Sequence, residues 1–88
     1  MENRNLILLR GKFVHKTFSG NRVARFIFRD EDYGWRTVSI VKEKPFYEKI
    51  KINEQCEIYV SVEGKLKKSF REEYTCFNDF HVERLEMA

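Results

Sequence analysis

The sequence predicts an all-β protein, a five-stranded sheet curled into a small barrel with a short helical or irregular connector between strands three and four. Residues 22–29, RVARFIFR, alternate with period two: Ala24, Phe26 and Phe28 share one face, and Val23, Arg25, Ile27 and Arg29 the other. That is the pattern of a half-buried strand. Alternation returns in four further stretches separated by turn residues. Glycines at 11 and 64 fall inside two of these stretches, where a strand bends, bulges or approaches another backbone closely. With 88 residues the chain has length for one modest core, and closing the sheet removes most exposed strand edges.

Taken in order, residues 1–5 are polar and expected to be loose until strand pairing begins. The first strand is expected over residues 6–16, with Ile7, Leu9, Gly11 and Phe13 alternating against Leu8, Arg10 and Lys12. A turn at Ser19-Gly20-Asn21 feeds the second strand and makes the first pairing antiparallel. Residues 30–34, DEDYG, form an acidic turn-rich loop. The third strand, residues 35–41, sends Arg36, Val38 and Ile40 to one face and Trp35, Thr37, Ser39 and Val41 to the other. The aliphatic pair assigns the first set inward and the tryptophan outward.

Pro45 breaks the pattern and opens a short helical turn, with Phe46, Ile50 and Ile52 turned inward. Strand four spans residues 57–66, with Ile58, Val60 and Val62 inward, a bulge at Gly64 and a continuation to Phe70. Residues 71–73 make a turn, and residues 74–85 return as the last strand with Phe80 and Val82 buried. A five-stranded antiparallel sheet of the SH3-like kind is the alternative, which strand spacing alone does not separate from the barrel.

Residues 1–50 hold 11 Lys/Arg against 6 Asp/Glu, whereas residues 51–88 hold 6 against 8, so the net +3 conceals a basic first half. A polyanion partner suits that asymmetry. The longest apolar run is residues 6–9, which excludes a signal peptide or membrane span from the reading and makes a cytoplasmic protein the default. Cys56 and Cys76 lack the spacing of a zinc site or a disulfide framework and are read as free thiols. Neither histidine, His15 or His81, is placed with a nucleophile, and the sequence has no phosphate loop or nucleotide fingerprint. The three adjacent acids 30–32 lack the alternating ligands of a calcium loop. No enzyme, cofactor or metal is expected.

The outward faces carry a different chemistry. Arg10 and Lys12 on strand one, Arg25 and Arg29 on strand two, Trp35 on strand three, and Tyr59, Lys65, Lys67 and Phe70 on strand four and its extension interleave cations with aromatic rings. Cations pair with phosphates and rings offer stacking platforms to bases, the combination suited to single-stranded nucleic acid. The plain alternatives are a solvated face for Arg25 and Arg29, packing of Phe70 over the barrel end, and a subunit contact for Tyr59.

In this order the segments NLILLRGKF (5–13), GNRVARF (20–26), Trp35-Arg36, VSVEGKL (60–66) and the basic-aromatic run into Tyr74-Thr75 resemble the bacterial single-stranded DNA-binding protein family, including its small primosomal relatives. The resemblance implies an OB-fold over residues 1–88 as a single domain, base stacking on Trp35 and Phe70, and backbone contacts from Arg10, Arg25, Lys65 and Lys67. It also implies assembly through the OB-fold sheets, and a homodimer is the expected state, with Leu8 and Tyr59 at the surface. Against the family pattern, the link between strands two and three is short and the connector is reduced, and no acidic tail is expected after Ala88. A compact phage, plasmid or other mobile-element protein is therefore the expected form.

The expected function is non-catalytic binding and protection of single-stranded DNA in replication or recombination, with little base selectivity. RNA is a second candidate ligand. The competing function is an OB-fold interaction subunit of a replication, primosome or recombination assembly, contacting a helicase or primase with little DNA affinity of its own.

Overall fold

The computed structural model describes residues 6–32 and 34–87. Residues 1–5, Tyr33 of the acidic loop and Ala88 lie outside the described residues. Five strands, β1 (Ile7–Ser19), β2 (Val23–Asp30), β3 (Gly34–Val41), β4 (Gln55–Lys68) and β5 (Tyr74–Met87), close into a barrel in the order β1-β2-β3-β5-β4. Every neighbouring pair is antiparallel except β3–β5, which runs parallel through Val38–Phe80 and Ser39–His81. The fold is the all-β, five-stranded OB barrel that the sequence predicts. Between β3 and β4, Pro45–Lys49 form a single 3-10 turn. Pro45 begins it, where the missing N–H has no intrahelical partner to lose.

The core is the inner face of the alternating runs: Leu9 and Phe13 of β1, Ala24, Phe26 and Phe28 of β2, Val38 and Ile40 of β3, Cys56, Ile58 and Val60 of β4, and Val82 of β5. Phe13 meets Phe26 and Phe28 edge-on, with centroids 5.3 and 5.2 Å away, the favoured arrangement of ring quadrupoles. Phe46, Tyr47 and Ile50 of the connector pack against this core. Ile52 does not: it is exposed, beyond the last turn of the connector.

β1 extends to Ser19, beyond the expected residue 16, because it curls to serve two partners. Its first half pairs with β4 and its second with β2. The curl is made by bulges at Val14 and Thr17, each unopposed in the β2 register; an extra residue on one strand bends it and increases its twist. Gly11 sits where β1 passes both partners, and a Cβ there would lie 1.8 Å from the Arg29 carbonyl oxygen. Only glycine allows that approach.

β4 and β5 outrun the barrel as a two-stranded arm. The expected bulge at Gly64 is absent, since Gly64 pairs directly with Asn78. The irregularity lies lower, where Glu83 of β5 is the extra residue between the Tyr59–Arg84 and Val60–Val82 pairs. Above it Ser61 is buried and Val62 exposed, against the expected alternation, because the arm leaves the core behind. β4 ends at Lys68, so Phe70 belongs to the turn at the tip rather than to the strand.

Candidate nucleic-acid interface

Strand register brings three of the sequence-designated residues into one row. Lys12 of β1 lies opposite Arg29 of β2, which lies opposite Trp35 of β3, and Gln55 of β4 continues the row on the other side of Lys12. All four are on the outer surface because their neighbours Phe13, Phe28 and Cys56 turn into the core. The Arg29 guanidinium carbon is 5.2 Å from the Trp35 ring centroid, a cation–π contact that holds the two side chains side by side. Trp35 is 63% exposed. It forms a wall between two depressions, one lined by Gly11, Lys12, Arg29, Glu31, Asn53 and Gln55, and one by Ile27, Arg36 and Thr37.

One turn of the sheet away, a second row joins Phe18, Arg25, Ser39 and His81. Arg25 lies over the Phe18 ring at 5.5 Å. Across a shallow groove from Arg25, the arm presents Glu63, Lys65, Asp79 and His81. Lys65 is ion-paired with Asp79 at 2.8 Å. That hydrogen-bonded contact raises the Lys65 pKa and lowers that of Asp79. His81 Nε2 stands 3.3 Å from Glu63.

Phe70 occupies the arm tip and is 93% exposed, with the Arg71 guanidinium 5.7 Å from its ring. Ser69 builds this tip. Its backbone N–H donates to the Glu73 carbonyl, and its hydroxyl accepts from the backbone N–H groups of Arg71 and Glu73. Lys67 lies on the same arm, exposed and opposite Thr75.

Two designated residues stand apart from these rows. Tyr59 is on the β1–β4–β5 side, opposite Leu8 and Arg84, and the Arg84 guanidinium covers its ring at 4.9 Å. Arg10 is bound to Glu57, and its pKa is raised first by that hydrogen bond and charge, then by Glu31 and Asp32. Its charge is largely met within the protein. Asp30, expected in a solvated loop, is buried at the end of β2. Its carboxylate accepts from the Asp32 backbone N–H at 2.8 Å and lies 3.9 Å from Arg36 Nε, which fixes the tight β2–β3 link beside Trp35.

Sequence reasoning missed Glu31, Asn53 and Gln55, which come from a turn, the end of the connector and the first residue of β4, where no periodicity marks them. Phe18 was likewise hidden, because its outward position depends on the two β1 bulges. Among the described residues there is no cluster of His, Cys, Asp and Glu able to hold a metal ion, and no helix long and apolar enough to cross a membrane.

No protein-family model matches the sequence, and no curated protein matches it. Solved structures do. The mitochondrial single-stranded DNA-binding protein Rim1 of S. cerevisiae superposes with a TM-score of 0.74 at 7% identity, covering 97% of this chain and 94% of that one. A selenomethionine form of Rim1 gives 0.68 at 8% identity, covering 98% and 96%. The small single-stranded DNA-binding protein of Streptomyces coelicolor gives 0.60 at 10% identity, covering 99% and 96%. At these identities the likeness is one of fold.

Proposed function

We propose that this chain binds and protects single-stranded DNA during replication or recombination, without catalysis. The row Lys12–Arg29–Trp35 carries the reading: two cations and an exposed indole on rigid, mutually registered strands. Phosphates pair with the cations while a base stacks on the indole, and Arg25, Lys65, Lys67 and Phe70 extend the path onto the arm. Tight strands hold the platform in place before the ligand arrives, so little ordering is required on binding. The fold neighbours, named as single-stranded DNA-binding proteins, support the same reading. A phage, plasmid or other mobile-element origin suits the short β2–β3 link.

The test is titration of labelled single-stranded DNA, duplex DNA and single-stranded RNA at two salt concentrations, following Trp35 fluorescence. Preference for single-stranded DNA with quenching and salt weakening is expected. Trp35→Ala combined with Phe70→Ala is expected to weaken binding by about 2–6 kcal/mol, since each stacked base contributes roughly 1–3 kcal/mol, with the circular dichroism unchanged. Undiminished affinity in the double variant overturns the stacking site.

A second reading rests on the β1–β4–β5 side of the barrel, where Leu8 and Tyr59 are register partners across β1 and β4 and Arg84 covers the Tyr59 ring. An exposed aliphatic, a ring and an arginine suit a protein contact. We assign this side to a homodimer contact or, if DNA affinity is absent, to a helicase or primase partner. Sedimentation of Tyr59→Ala against the parent chain distinguishes an assembly contact from a monomer surface.

A further inference from the structure

We propose that the depression beside Trp35 is a base-reading pocket with a preference for guanine; this rests on the single-stranded DNA reading above and deepens it. The cavity is about 450 Å³ and is lined by Lys12, Arg29, Glu31, Trp35, Asn53 and Gln55 among others, within the roughly 300–1,000 Å³ of small-ligand clefts. Its composition is unlike a surface that meets only phosphate. Glu31 places a carboxylate in the same depression as Lys12 and Arg29, where it repels a phosphate and welcomes an N–H donor.

The carboxylate is also oriented. Gln55 Nε2 donates to Glu31 Oε1, and Gln55 is in register with Lys12. Each carboxylate oxygen offers two lone-pair directions, so this bond leaves both oxygens able to accept again. Asn53 is fixed by its backbone N–H, which donates to the Phe13 carbonyl at 2.8 Å, in a left-handed conformation of φ +66°. The wall thus presents two acceptors on Glu31 beside the ammonium of Lys12 and the side-chain amide of Asn53.

The Watson–Crick edges of the bases sort against that pattern. Guanine offers two adjacent donors, N1–H and the exocyclic amine, followed by the O6 acceptor, which matches a bidentate carboxylate flanked by a donor. Thymine has one N–H between two carbonyls that a carboxylate repels. Cytosine and adenine each place a ring-nitrogen acceptor beside their amine. Splayed bases of single strands expose these edges to side chains. Trp35 forms the side of the pocket against which the ring plane rests.

The experiment compares short oligothymidylate with the same strand carrying isolated guanosines, and with inosines at those positions, which lack the exocyclic amine. For the intact protein, the guanosine strand is expected to bind about tenfold tighter than oligothymidylate, the lower part of what a bidentate base contact provides. Inosine is expected to lose most of that gain, and Glu31→Gln to bring the ratio of guanosine to thymidine affinities close to one. Tight, equal binding of all three strands overturns the pocket while leaving the DNA-coating function intact. A guanosine preference that survives Glu31→Gln or inosine replacement overturns the assignment to this carboxylate. Absence of binding to every strand overturns both. The inosine comparison needs no variant, so it decides the matter even if Glu31→Gln misfolds.

Discussion

Gly11 and Cys56 are register partners at the point where β1 changes from one neighbour to the other. Each has a consequence that a single substitution exposes. Gly11→Ala forces a methyl group into the Arg29 carbonyl, a backbone atom that cannot move unless β1 and β2 separate. The expected loss is at least about 3 kcal/mol in urea unfolding, the top of the ordinary overpacking range, accompanied by weaker DNA binding because Arg29 shifts with its backbone. Cys56 acts through titration. Burial pushes its thiol up from 9.0 to about 11, against a smaller opposing hydrogen bond from the Phe13 backbone. The folded chain therefore holds this proton more tightly than the unfolded chain. The stability it contributes is full below pH 9.0 and falls as pH rises through about 11. Unfolding free energies of the parent and Cys56→Ala, measured at steps across that window, are expected to converge as pH rises. Parallel curves would show that the buried thiol does not govern this limb.

At the scale of elements, the distinction is between strands held on both sides and strands that escape the barrel. β2 and β3 are free of bulges in their shared register, so period two survives and their buried faces are legible directly in residues 22–29 and 35–41. β1 and β5 are not so legible, because unopposed residues at Val14, Thr17 and Glu83 shift the facing of the positions beyond them, and β4 departs from its pattern at Val62, where the arm leaves the core. A bulge is a property of the pairing, not of the strand's own sequence. The same reason hid the candidate site: Lys12, Arg29 and Trp35 are recognisable as cationic or aromatic outward residues, but their juxtaposition depends on register. The arm tests the division. Replacing residues 66–76 by Asn-Gly joins Lys65 to its partner Phe77 through a two-residue hairpin turn. None of the core residues lies in the removed segment, so the thermal midpoint is expected to change little. Loss of Lys67 and Phe70 is expected to weaken single-stranded DNA binding about tenfold or more, the effect of one lost stacking platform. A molten product would instead assign the arm a structural role.

For the whole molecule, the decisive quantity is how cations are distributed rather than their sum. A net charge of +3 on 88 residues is a weak attraction for a polyanion. Much of the opposing charge is met internally: Arg10 is held by Glu57, Lys65 by Asp79, and Arg84 by Glu86. Lys12, Arg25, Arg29 and Lys67 belong to none of these pairs, and they trace a path from the Trp35 row to the arm. Binding that neutralises four phosphates releases counterions with a slope of log affinity against log salt of about −3, at roughly −0.7 per phosphate for single strands. If the strand also opens the exposed Arg10 and Lys65 pairs, the slope steepens to about −4. Asp79→Asn separates these cases. It frees Lys65 without adding a cation, so a steeper slope in the variant than in the parent means that the pair stays closed in the parent complex. Equal slopes mean that the strand already displaces Asp79. A parent slope near zero removes phosphate from the recognition altogether and leaves the face of Leu8 and Tyr59 as the surface through which this barrel acts.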